Sequence, residues 1–183
     1  STDAYQAMLR NLAFSLSLYS GQMCTTSQLL VLPAGGIATD EGPKSYAQVC
    51  ADLAAAIDAA LAKPEVACAV LGAIQSPATV ARIDHANSGA LGTVVRASQP
   101  LQNPEFPDAV VRSPVLLSVD AGAEAAYMKE RFGPITFVVK AANTAAAIAL
   151  EYAKNMAHEM QPALEKAVRD AVSEALALEV GAK

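Results

Sequence analysis

Residues that build metal or disulfide frameworks are scarce here. There are three cysteines, none in a Cys-x-x-Cys, and only two histidines in 183 residues. An odd, unpatterned set of thiols gives neither a paired disulfide scaffold nor a zinc site, and it suits a reducing cytoplasm. Positive charge is also short. Thirteen Lys and Arg stand against eighteen Asp and Glu, for a net charge of −5. With no basic patch carrying interleaved aromatics, nucleic acid is not an expected partner. No apolar run approaches the ~20 residues that span a bilayer, and no signal-peptide pattern opens the chain, so no membrane partner is expected either. Tryptophan is absent and aromatics make up 5%.

Apolar residues are plentiful, at 53% with only 17% charged. That composition describes one core-rich domain able to bury roughly 70% of its extended surface. Much of the apolar share is alanine, which buries little per residue, and the high total hints at a surface that expects a partner.

The patterning alternates between strands and helices. Tyr5, Met8, Leu12, Leu16 and Tyr19 recur at helical steps, predicting a helix over 3–19 with Ser1 or Thr2 as its cap, ended by Gly21. Residues 28–32 read as a short strand, stopped by Pro33 and the Gly35-Gly36 pair. The Gly-rich stretch up to Pro43 reads as a plain connection, since it lacks a phosphate-gripping Lys-Ser or Lys-Thr. Residues 45–61 form the clearest helix, with Cys50 inside its apolar stripe as a packing residue. Beyond Pro64, residues 66–71 make a continuous apolar run expected to be a strand covered on both faces, Cys68 included. Ser76-Pro77 opens a helix to Asn87, on which His85 reads as a solvated helix-end residue.

Strand candidates follow at 93–97, 110–111, 115–119 and 135–139. A three-proline loop lies at 99–108 and a short helix at 123–129. Residues 143–183 read as helical, punctuated at Pro162, with a stripe of Leu164, Val168, Val172 and Leu176. The expected fold is α/β, a parallel sheet covered by helices, with a helical C-terminal tail.

Cys24 differs from the other two thiols. It lies in Ser20-Gly21-Gln22-Met23-Cys24-Thr25-Thr26, a polar turn between apolar segments. A thiol presented this way, near backbone N–H donors, suits a nucleophile, because the thiolate is the reactive form. About a hundred residues on stands Glu130-Arg131-Phe132-Gly133-Pro134. By themselves, Glu130 could be a solvated charge and Phe132 a core anchor.

Together, Gly-Gln-x-Cys and Glu-x-Phe-Gly-Pro in this order resemble the catalytic half of the aldehyde dehydrogenase superfamily, over about residues 3–155. The resemblance implies a partial catalytic domain at 1–155 and a helical extension at 156–183. It implies Cys24 as the thiol that attacks the aldehyde, Glu130 as the acceptor for the cofactor ribose, and Phe132 beside the nicotinamide of NAD or NADP. Met-Cys-Thr-Thr and the Ala-rich spacing look most like the branch that oxidises a semialdehyde in phenylacetate breakdown. Two positions depart from the family pattern: Tyr19 replaces a common Asn, and Lys129 replaces an acidic residue. The family's cofactor domain, water-activating glutamate and oxyanion-hole asparagine would all precede residue 1, so the chain is expected to be a piece of an enzyme. Beyond a small-molecule aldehyde, a second copy of the chain is the expected partner, giving a homo-oligomer. Two rival readings stay open: an assembly module that keeps the fold without the redox role, and a cysteine acyltransferase or hydrolase.

Overall fold

The computed structural model describes residues 3–24 and 26–159. Four strands form the central sheet in the order β1 (Leu29–Pro33), β8 (Ile135–Ala141), β7 (Val115–Asp120) and β4 (Thr93–Arg96). β1, β8 and β7 run parallel, as the alternation of strands and helices predicts. β4 adds an antiparallel edge to them, pairing with β7 with a register shift between Val94 and Arg96. The fold is α/β, with an antiparallel edge on a parallel core.

Alternate residues of these strands feed two cores. On one face, Leu116 and Val138 pack with Tyr5, Leu9, Ala13 and Leu16 of α1 (Ala4–Ser17) and with Val49, Leu53 and Ile57 of α2 (Tyr46–Ala60). On the other, Leu117, Val119, Phe137 and Val139 meet Ile83 and Ala86 of α4 (Pro77–Asn87), Tyr127 of α5 (Glu124–Tyr127) and Leu150 of α6 (Thr144–Glu159). Each fully buried Leu, Ile or Phe contributes on the order of 1.5–3 kcal/mol.

Helix ends follow local chemistry. Ser45 and Gln48 form a capping box at the start of α2. α1 takes its cap from elsewhere: the backbone N–H groups of Ala4 and Tyr5 donate to Asp40 at 2.8 and 2.9 Å. Those backbone hydrogen bonds hold the Asp40 carboxyl below its ordinary range. Ser1 and Thr2, the caps expected from sequence, lie outside the described residues. Ser76 starts α4, but its side chain makes no capping bond.

Three further expectations are corrected. Residues 66–71 belong to a helix, α3 (Pro64–Leu71), with Ala67, Cys68 and Leu71 buried. The connection before α2 is a small hairpin, β2 (Ile37–Thr39) with β3 (Gly42–Lys44), and the three-proline stretch contributes β5 (Pro100–Leu101) to a ribbon with β6 (Val111–Arg112). The expected helical extension is described only as far as Glu159; Pro162 and the stripe after it lie outside the described residues. Among the described residues, no helix is long and apolar enough to cross a membrane.

Candidate functional site

After α1 the chain makes a single 3-10 turn, Leu18–Gly21, in which Tyr19 and Ser20 take φ of 50° and 53° and Gly21 takes 63°. Two left-handed non-glycine residues in a row are costly and persist only where the surroundings fix them. Ser20 is buried and its Oγ donates to the Arg112 carbonyl at 3.2 Å. Gln22 stitches the turn to a neighbouring loop. Its Nε2 donates to the Tyr19 and Ala73 carbonyls, both at 3.0 Å, and its Oε1 accepts from Gln75 N–H at 3.1 Å.

Cys24 follows on the surface, exposed, where the Thr26 N–H closes back on the Met23 carbonyl at 3.1 Å. Cys50 and Cys68 are buried, as their apolar stripes predict. Burial pushes the Cys50 thiol up. The Thr26 hydroxyl oxygen, two residues past Cys24, is buried with no hydrogen-bond partner among the described residues.

The second motif lies between α5 and β8. Glu130 is exposed and Phe132 is 43% exposed, so Phe132 is no core anchor. The two motifs meet at their glycines. A Cβ on Gly21 would stand 2.5 Å from the Gly133 carbonyl oxygen and 2.7 Å from Pro134 Cα, so backbone packs directly on backbone. Gly133, at φ 134°, is in turn pressed on Thr79 of α4, where a Cβ would stand 2.9 Å from Thr79 Cγ2.

Three side chains from three elements hold the loop ahead of Gly133. Gln28, just before β1, pairs with both backbone groups of Arg131: Nε2 donates to its carbonyl at 3.0 Å and Oε1 accepts its N–H at 3.1 Å. Arg82 Nε donates to the Phe132 carbonyl at 3.0 Å and its guanidinium to Thr79 Oγ1 at 2.8 Å. Lys154 Nζ donates to the Met128 carbonyl at 2.6 Å. Burial lowers the Lys154 ammonium's pKa, partly offset by the charge of Glu130. Sequence reasoning singled out none of these three residues. A Gln and an Arg on half-buried faces look like ordinary surface polarity until the loop they grip is in place.

His85 is exposed on α4, consistent with a solvated helix-end residue. Among the described residues, no cluster of His, Cys, Asp and Glu could hold a metal ion.

No family model and no curated protein matches the sequence. A solved structure does: an NAD-dependent aldehyde dehydrogenase from Burkholderia multivorans, with 42% identity over 82% of this chain and a TM-score of 0.78. That likeness supports the aldehyde dehydrogenase superfamily. The chain spans 27% of that enzyme's length.

Proposed function

We propose that this chain carries the nucleophile turn and a cofactor-contacting loop of an NAD(P)-dependent aldehyde dehydrogenase. The observation that carries the reading is the packing of Gly21 on Gly133 and Pro134, which brings the Cys24 turn and the Glu130–Phe132 loop to one place. Phe132 offers an open aromatic face and Glu130 an exposed carboxylate on the same loop. That donor set fits a nucleoside cofactor, with Glu130 toward the ribose hydroxyls and Phe132 toward the flat ring. NAD or NADP, when bound, supplies the hydride acceptor.

Cys24 as thiolate adds to the aldehyde carbonyl, forming an S–C bond and an oxyanion that the Cys24 backbone N–H stabilises. With a bound NAD or NADP to accept hydride from that carbon, Cys24 would be left carrying an acyl thioester, which water would cleave to the acid and the free thiol. The Met-Cys-Thr-Thr wording favours a semialdehyde of phenylacetate breakdown as substrate, and the solved relative's use of NAD favours NAD. A second reading, an assembly module without redox chemistry, draws on an apolar groove of about 640 Å³ at the β1 edge, lined in part by Met8, Leu30 and Ile148.

Partial alkylation tests the proposal directly. Iodoacetamide should label Cys24 well before Cys50 and Cys68, and a millimolar aldehyde should slow labelling at Cys24 alone by reversible capture of its thiol. Equal labelling of all three cysteines in the folded chain would remove Cys24 from the nucleophile role.

A further inference from the structure

We infer that Gln28 is a positioning residue, a two-way clamp that sets the Glu130–Phe132 loop relative to the Cys24 turn. The inference rests on the functional reading of those three residues, but its geometry stands independently. Gln28 follows Cys24 by four positions in the chain and begins the approach to β1. Its carboxamide meets the N–H and the carbonyl of Arg131, 103 residues away, as another strand would. Arg131 sits between Glu130 and Phe132, so one rigid amide fixes the backbone that carries both.

The loop has no ladder of its own to do this. α5 ends at Tyr127 and β8 starts at Ile135. Lys154 holds the Met128 carbonyl, with a longer 3.5 Å contact to the Tyr127 carbonyl, Arg82 holds the Phe132 carbonyl, and neither holds a loop N–H. Gln28 alone among the three both donates and accepts. It is therefore the one that fixes the direction of the peptide plane as well as its position. Arg131 adds a brace from inside the loop, its Nε donating to the Ala126 carbonyl at 2.8 Å.

This chemistry predicts an unusual pH signature. Gln28→Glu keeps the shape of the side chain. As a carboxylate it has two acceptors and no donor, and it faces the Arg131 carbonyl with like polarity. As a carboxylic acid it again donates to that carbonyl and accepts from the N–H. Gln28→Met removes both bonds while keeping the length.

Hydrogen exchange of the 183-residue chain, corrected for intrinsic rates, reads the clamp without cofactor or turnover. In Gln28→Met the Arg131 amide and its neighbours should exchange about tenfold faster, with protection in β7 and β8 kept. In Gln28→Glu the loop should be deprotected at pH 8 and recover toward wild type at about pH 3.5, below the ordinary carboxyl pKa of about 4.3. Unchanged Arg131 protection in Gln28→Met, or Gln28→Glu behaving alike at both pH values, would overturn the clamp. So would loss of protection spread evenly over the sheet. Because the readout is the loop amide, failure of the thiol chemistry and failure of the clamp give different results.

Discussion

Tyr19, Ser20 and Gly21 share one backbone conformation but not one cost. Gly21 adopts its φ of 63° freely, and the space beside its Cα is filled by Gly133 and Pro134. Gly21→Ala adds both a left-handed penalty and a clash with backbone that cannot turn aside, and should destabilise by about 2–4 kcal/mol. Tyr19 is the converse case. Its side chain is 53% exposed, so it contributes little burial to offset its φ of 50°. Asparagine tolerates that region best among non-glycine residues, and the resembling family places asparagine there. Tyr19→Asn should therefore stabilise, by about 0.5–1 kcal/mol. Urea melts of the two variants check both signs, and a destabilised Tyr19→Asn would mean that the Tyr19 ring packs for more than its exposure suggests.

At the scale of elements, two phenols anchor helices, Tyr46 half-buried and Tyr127 buried. Tyr46 of α2 donates to the Val138 carbonyl at 2.7 Å and lies 2.8 Å from Ser118 Oγ, joining α2 to β8 and β7. Tyr127 ends α5 and donates to the Ala121 carbonyl. Burial pushes both hydroxyls from their ordinary 10 up to about 12. The folded state thus holds these protons more tightly than the unfolded chain. Their contribution is fully present below pH 10 and lost as pH rises through about 12. Denaturant midpoints measured across that window should fall, and Tyr46→Phe with Tyr127→Phe should flatten the decline.

The elements also show where local pattern suffices. α2 was legible from its apolar stripe, to which the structure adds a capping box of Ser45 with Gln48. α3 was not. Its run Val66-Ala67-Cys68-Ala69-Val70-Leu71 is apolar on every side, and such a run has no period to separate strand from buried helix. The deciding signals sit at its ends: Pro64 at the first helical position, Glu65 in the first turn, and Gly72 at φ 65° just beyond. The hairpin escaped notice because Pro43 argues against a strand, although an edge strand accepts it. Cys24, Glu130 and Phe132 were readable as motif residues, while Gln28, Arg82 and Lys154 act only through backbone that the fold brings to them.

Taken whole, the molecule leaves one sheet edge less finished than the other. β4 ends the sheet under Asp58, which Arg96 meets at 2.8 Å. β1 ends it with five half-buried residues beside the apolar groove, and Ile148 and Tyr152 of α6 are 66% and 60% exposed. A contiguous apolar surface of this kind tends to find a partner. The 183-residue chain should therefore self-associate. Light scattering on it and on a chain ending at Gln161 asks whether the last residues, with their Leu164 to Leu176 stripe, are needed. Monomers in both would end the assembly expectation.

The parallel pairing of β1 with β8 joins Leu29 to Phe137 across most of the described chain. Ribosomes add roughly 5–20 residues per second, so Cys24 waits on the order of 5–20 seconds during synthesis before Gly133 exists to close against it. Long-range pairings of this kind also form late, after local helices. The Cys24 turn therefore goes without its Gly133 neighbour throughout that interval, and its backbone is braced only once the stretch leading into the eighth strand has been made.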